Sequence, residues 1–462
     1  MTPLAVQLAR WTTALRFDEI PEEVVTSAKD RIMDLLGICI AAFDEDAGVA
    51  VRSLRDEWGQ ARPDSTFVRE LDKGPAAVAA MVNGTYAHSL DFDDTHLPSI
   101  VHPSAPMVPA ILAQAEASGA TGRETLAALI AAYELNTRLA MAQYDAELGN
   151  SVFFEHGLHA TSILGAVAAA AACARLRGMG PDGVANAIAV ACSMGAGLIE
   201  ANRTGGSIKK FHGGWAAHSA VTAAGLAAHG LTGPPTVLEG RFGLFQAFCG
   251  ERWWPDAVTE ELGRRWNTPL ILYKPYPCNH FTHPIVDSAL ALKARGLRPD
   301  NVQHVTIGTA LAPWRTIGDP IEQKRRPRTP YNAAFSAPFV FATALVGGGG
   351  LGVSVRDFSE ETLADPLRTR IAEVCDVVVD EECTRVFPHR FAAVVRVRTK
   401  DGSELEERVM SSRGGPDRPL SRADLLQKLR ENVGAAADGL AAACASLDGA
   451  PSVESLMAAT RG

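Results

Sequence analysis

Three aspartates, a threonine and two histidines crowd the run Asp91-Phe92-Asp93-Asp94-Thr95-His96, which continues to His102-Pro103-Ser104. Carboxylates this close raise one another's proton affinity, and a carboxylate raised toward neutrality becomes a usable acid or base. For any one of these aspartates, a capping or solvated role is the ordinary alternative. A second run is Glu155-His156-Gly157-Leu158-His159-Ala160-Thr161, at the start of an Ala-rich stretch. A helix N-terminus disfavours the charged form of histidine, and a neutral imidazole accepts protons. His159, at the helix entrance, is preferred to His156. The third run is Gly205-Gly206-Ser207-Ile208-Lys209-Lys210-Phe211-His212-Gly213-Gly214. It reads as a loop whose glycines admit a ligand close to the backbone while its lysines attract a carboxylate. The fourth is Tyr273-Lys274-Pro275-Tyr276-Pro277-Cys278-Asn279-His280-Phe281-Thr282-His283, stiffened by two prolines. Lys274 is its anion contact, and Cys278 reads as a structural thiol.

Helices must position the first three runs. Pro21–Phe43, Gly74–Leu90, Ser104–Ser118, Gly122–Ala142 and His159–Leu176 are rich in Ala and Leu, with breakers such as SGATG and RGMGPDG between them. Small side chains allow close helix approach, which predicts a packed bundle. The pattern changes near Thr268. Val302–Ile307, Val374–Asp380, Arg390–Thr399 and Glu404–Met410 read as strands, the last two joined by Lys400-Asp401-Gly402-Ser403 as a hairpin turn. Helical patterns at His283–Arg295, Tyr331–Val346 and Glu360–Ala372 lie among them, and Ser421–Val433 returns to helix. The expected fold is mainly α: a large all-helical domain from residues 1–268 and 411–462, and a smaller α+β lid domain from 269–410.

The chain has 462 residues, 47% of them hydrophobic, and 44 basic against 53 acidic side chains for a net charge of −9. Global disorder is excluded, and an acidic balance disfavours a nucleic-acid partner. No apolar stretch reaches the roughly 20 residues of a membrane span. The N-terminus does not read as a signal peptide, and eight scattered cysteines without a CxxC pair read as reduced thiols, so the expected location is cytoplasmic. No zinc spacing or HExxH occurs. The DxDD pattern of some terpene cyclases is set aside, since 6% aromatic residues are few for a carbocation cage. Gly347–Gly350 reads as a helix stop, and Lys324–Arg326 as a solvated basic loop.

Taken together, NGTYAHSLDFDDTHLPSIVHPSAPMVPAILA, EHGLHATSILGAVAAAAA, GGSIKKFHGGWAAHSAVTAAGLAAHGLTGP, YKPYPCNHFTHPIVDSALAL and YNAAFSAPFVFATALVGG resemble, in order and over most of the chain, the MmgE/PrpD family. That family includes 2-methylcitrate dehydratase, cis-aconitate decarboxylase and iminodisuccinate epimerase. The resemblance implies a homodimer acting on a small anionic carboxylate without an organic cofactor or metal. It implies catalytic roles for Asp91, His102, His159, Lys209 and Lys274, and substrate contacts for Thr95, His212, Asn279 and His280. Lys209 and Lys274 would hold carboxylates, His159 or Asp91 would move a proton at carbon, and His102 would be the opposing acid. The interval from Asp91 to His102 is one residue longer than in the decarboxylase branch, and Asn279 stands where that branch has histidine. The first expectation is therefore a hydro-lyase of the 2-methylcitrate dehydratase type. A dicarboxylate epimerase, a cis-aconitate-type decarboxylase and a non-catalytic binding homologue are the alternatives.

Overall fold

The computed structural model describes residues 2–59 and 62–461. The protein is mainly α and divides into two compact units, Met1–Leu272 with Asn432–Gly462, and Tyr273–Glu431. The first is built from α1 (Glu22–Ala41), α2 (Ala76–Ser89), α3 (Ser104–Ser118), α4 (Gly122–Met141), α5 (Ala160–Leu176), α6 (Pro181–Met194) and α7 (Ile208–Ala228), with shorter helices and two hairpins of two-residue strands. Ala160 to Ala174 are all buried, so α5 runs through the core with apolar residues on every side. α4 starts in a capping box in which Thr121 and Glu124 exchange hydrogen bonds. After the second unit the chain returns to lay Ala437–Ala445 on α1, and Lys29 pairs with Asp448 at 2.6 Å.

α7 packs against α2, α3, α5 and α6. Its crossing with α2 is a backbone contact. A Cβ on Gly84 would lie 2.8 Å from the Gly213 oxygen, and one on Gly214 would lie 2.2 Å from Thr85 Oγ1 and 2.3 Å from the Met81 oxygen. The stretch expected as a ligand loop is therefore the start of a helix, and its second glycine pair admits another helix instead of a ligand. Helix propensity alone would make Gly214→Ala stabilising by about 1 kcal/mol. We expect the reverse, a loss of about 1–3 kcal/mol from overpacking, read as a lower urea midpoint at unchanged m-value.

In the second unit, β1 (Val302–Thr309), β2 (Cys375–Val379), β3 (Ala393–Thr399) and β4 (Glu404–Val409) form one sheet in the order β2-β1-β3-β4. β1 and β2 are parallel, and the other neighbours are antiparallel. The Lys400–Ser403 turn is closed by Thr399 N–H to Ser403 O at 2.9 Å, with Gly402 at φ +87°. Two expected helices are each broken by the proline rule. One short helix ends at Ala334 and Ser336 caps α9 (Ala337–Val346), while Asp365 caps α10 (Pro366–Glu373); α8 (His283–Ala294) and the helix Arg422–Val433 run as anticipated. In the Lys324–Arg326 run, expected as a solvated loop, Lys324 and Arg325 are half-buried in a short helix and Arg326 is exposed. Lys324 Nζ donates to the carbonyls of Thr316 and Phe335, Arg325 pairs with Asp376, and Arg326 pairs with Glu373. All eight cysteines are buried thiols. Among the described residues, no helix is long and apolar enough to cross a membrane.

Candidate active site

In the first unit, four segments bring imidazoles together. α2 delivers His88 near its C-terminus. The segment after it supplies Asp91 to His102. The starts of α5 and α7 supply His159, and Lys209 with His212. Asp91 turns the chain out of α2 with φ +51°, a left-handed conformation that aspartate tolerates better than most residues. Its carboxylate lies 3.1 Å from Lys209 Nζ. The following loop is pinned by two bonds between Thr95 and Leu272 and by His96 N–H to Val101 O. Ile100 takes φ +53° there, a strained backbone for a β-branched side chain.

Each of the three aspartates has its own ionic partner. Asp93 is fully buried and accepts from His88 Nδ1 at 2.8 Å. Asp94 accepts from Arg31 at 2.8 Å, from the Ser104 N–H at 3.0 Å and from Ser104 Oγ at 2.6 Å, which ties α1 to the start of α3. Lys210 points elsewhere, to Glu45 and Asp46 at 2.7 and 2.6 Å. His156 binds the Phe248 carbonyl in an exposed position.

His102 Nδ1 faces the Asp94 carbonyl at 2.9 Å, so the ring donates from Nδ1 and Nε2 is the nitrogen left for a proton step. Thr95 Oγ1 lies 3.2 Å from the same nitrogen, and Thr161 Oγ1 receives the His102 N–H at 3.1 Å.

His159 is the N-cap of α5, yet its side chain makes no capping bond; its Nδ1 meets His212 Nδ1 at 2.8 Å. One proton lies between these two atoms, since one ring must donate and the other accept. The donor then has a bare Nε2, and the acceptor carries its proton on Nε2. While neutral, the pair presents one base and one acid. Burial, then the charges of His88, His212, Lys209 and His102, holds His159 well below the usual histidine range. Burial, then His88 and Lys209, lowers His212 to about 4.

The sequence reading missed His88. Its Nε2 is buried without a hydrogen-bond partner among the described residues. Its ring lies 5.5 Å from that of His159 and 5.3 Å from that of His102. The signal was available in the quoted NGTYAHSLDFDD run, where His88 precedes Asp93 by five residues.

Asp91, Thr95, His102, His159, Lys209 and His212 thus share one region of the first unit. Lys274, Asn279 and His280 belong to the second. There Lys274 is buried. Asn279 Oδ1 accepts the Phe281 N–H at 3.1 Å, so it is occupied as a local cap. The His280 ring packs on His283 at 4.5 Å and edge-on to Phe391 at 5.1 Å. Tyr276 donates to Asp287 at 2.6 Å, and Asp287 also accepts from Arg418. No group of three or more His, Cys, Asp or Glu that could hold a metal occurs among the described residues.

The first unit is a helical body with buried imidazoles beside a lysine, and it is joined in sequence to a small α+β unit. The MmgE/PrpD N-terminal domain profile matches residues 6–255 and the C-terminal domain profile matches 276–446, and the chain belongs to this family. It is 25% identical over 453 residues to the cis-aconitate decarboxylase-like protein oryM of Aspergillus oryzae, covering 93% of this chain and 90% of that one. It is 27% identical to a cis-aconitate decarboxylase of Aspergillus terreus, with 94% and 89% covered. The cis-aconitate decarboxylase of Homo sapiens is 26% identical, with 91% and 85% covered.

Proposed function

We propose that this protein is a lyase acting beside a carboxylate of a small di- or tricarboxylic acid. The observation that carries the reading is the buried His159–His212 contact, an acid and a base held neutral beside Lys209. Proton transfer at a carbon next to a carboxylate passes through an enolate-like dianion. A well-aimed cationic donor stabilises such charge by about 3 kcal/mol. Lys209 is that donor, released from Asp91 as the substrate binds. His102, through Nε2, serves the opposite proton step.

Decarboxylation of a cis-aconitate-type acid is the first reading, because relatives aligned over more than nine-tenths of this chain bear that name. In that reaction one carbon–carbon bond breaks, carbon dioxide leaves, and a proton returns to carbon. Dehydration of a 2-methylcitrate-type acid is the second reading. Its support is the paired acid and base, which an elimination of water uses together.

Proton NMR in deuterated water with cis-aconitate, citrate, 2-methylcitrate and an aminodicarboxylate tests both. Itaconate is the expected product. A vinyl product without carbon dioxide would favour dehydration. Deuterium uptake with scrambled stereochemistry and no loss of mass would replace the lyase by an epimerase. Binding without turnover of any compound would leave a non-catalytic homologue. On the compound that reacts, Lys209→Met is expected to lower kcat/KM about 100-fold, mostly through kcat, the worth of a donor aimed at the developing charge. An unchanged KM and kcat would remove Lys209 from the site.

A further inference from the structure

The proton steps above do not use the Asp93–His88 pair. We infer that this pair is a positioning device that keeps His159 in its neutral, proton-accepting form. The inference deepens the lyase reading and rests on it for its kinetic consequence alone.

The four rings form a continuous series. His102 lies 5.3 Å from His88, His88 lies 5.5 Å from His159, and His159 lies 4.9 Å from His212. Their Nδ1 atoms have different partners. His102 faces a backbone carbonyl, and His159 and His212 face each other. His88 faces the Asp93 carboxylate at 2.8 Å, while Asp93 is 3.9 Å from His102 Nδ1. The Asp93 carboxylate gives His88 a hydrogen-bonded anionic partner at 2.8 Å, so a charge-assisted bond is available there. A positive charge there opposes a second on its stacked neighbour. After burial, His88 is the largest influence holding down both His159 and His212. The other titratable groups around this point are Cys39 on α1, Asp91 and Lys209. Burial pushes the Cys39 thiol up, so it stays neutral, and Asp91 and Lys209 form an ion pair.

The sign follows. Without the His88 charge, His159 accepts a proton more readily. The test is NMR titration of 13C-labelled histidine, with His159 assigned from the spectrum of His159→Gln. In His88→Gln and in His88→Phe, which keeps an aromatic ring in the stack, the His159 titration is expected to rise by about one pH unit or more. The acid limb of kcat/KM moves up with it. A His159 titration unchanged in both variants would overturn the inference, because a ring that only fills space leaves no charge behind when replaced. A shift in His88→Gln that His88→Phe cancels would do the same. The titration needs no substrate, so it decides this point even if no compound of the panel turns over and the lyase reading falls.

Discussion

His159→Gln is expected to lower kcat by about 10²- to 10⁴-fold, the usual contribution of a positioned acid or base, while KM stays within a few-fold. Glutamine is close to histidine in length and keeps a polar group near His212, but its amide does not take up a proton. Burial and neighbouring charge hold His159 well below the ordinary histidine value of 6.5. In the wild-type protein this group therefore stays neutral at physiological pH, and it begins to cost activity only well below pH 6.5. Steady-state rates from pH 5 to 9, with urea unfolding of the same samples, check the claim. A variant that folds normally and keeps its rate would show that His159 has no part in the chemistry.

The largest stability effect belongs to a neighbouring aspartate. Asp94→Ala is expected to destabilise the protein by about 3–5 kcal/mol, because removing one member of a buried ion pair leaves the other's charge uncompensated. Arg31 and Asp94 have side chains 1% and 2% exposed, and the ion pair holds α1 against the start of α3. Ser104 loses both of its bonds to Asp94 at the same time, while its hydroxyl keeps Tyr133. Equilibrium urea unfolding reads the loss. An Asp94→Ala protein of normal stability and no activity would move Asp94 from scaffold to chemistry. The two variants are thus expected to fail in opposite ways, one stable and inactive, the other unstable.

Much of the architecture was legible because it depends on local rules. Apolar alternation and a Gly-containing turn located β3 and β4, and Ala-rich stretches bounded by Gly and Pro located α2 to α5. The reading faltered where partners are distant in sequence. Asp93 and Asp94 look alike in the string, and their partners separate them: His88 for Asp93, and for Asp94 Ser104 with Arg31, 63 residues earlier. Glycines at 213 and 214 announce a close approach, but the sequence does not say of what; the answer is Gly84 and Met81 on another helix. His88 escaped notice because it lies inside an apolar helix, where a histidine usually reads as core. It meets Asp93 only because Asp91 reverses the chain through a left-handed turn.

The cap position of α5 has a consequence for how this protein changes over evolutionary time. Ser, Asp or Asn at a helix N-cap contributes about 1 kcal/mol by bonding the first free N–H groups. His159 forgoes that bond and turns toward His212. Selection for thermal resistance alone would therefore favour capping residues at 159, and would silence the site while the fold improved. A histidine kept at this cap marks a lineage still held to its chemistry.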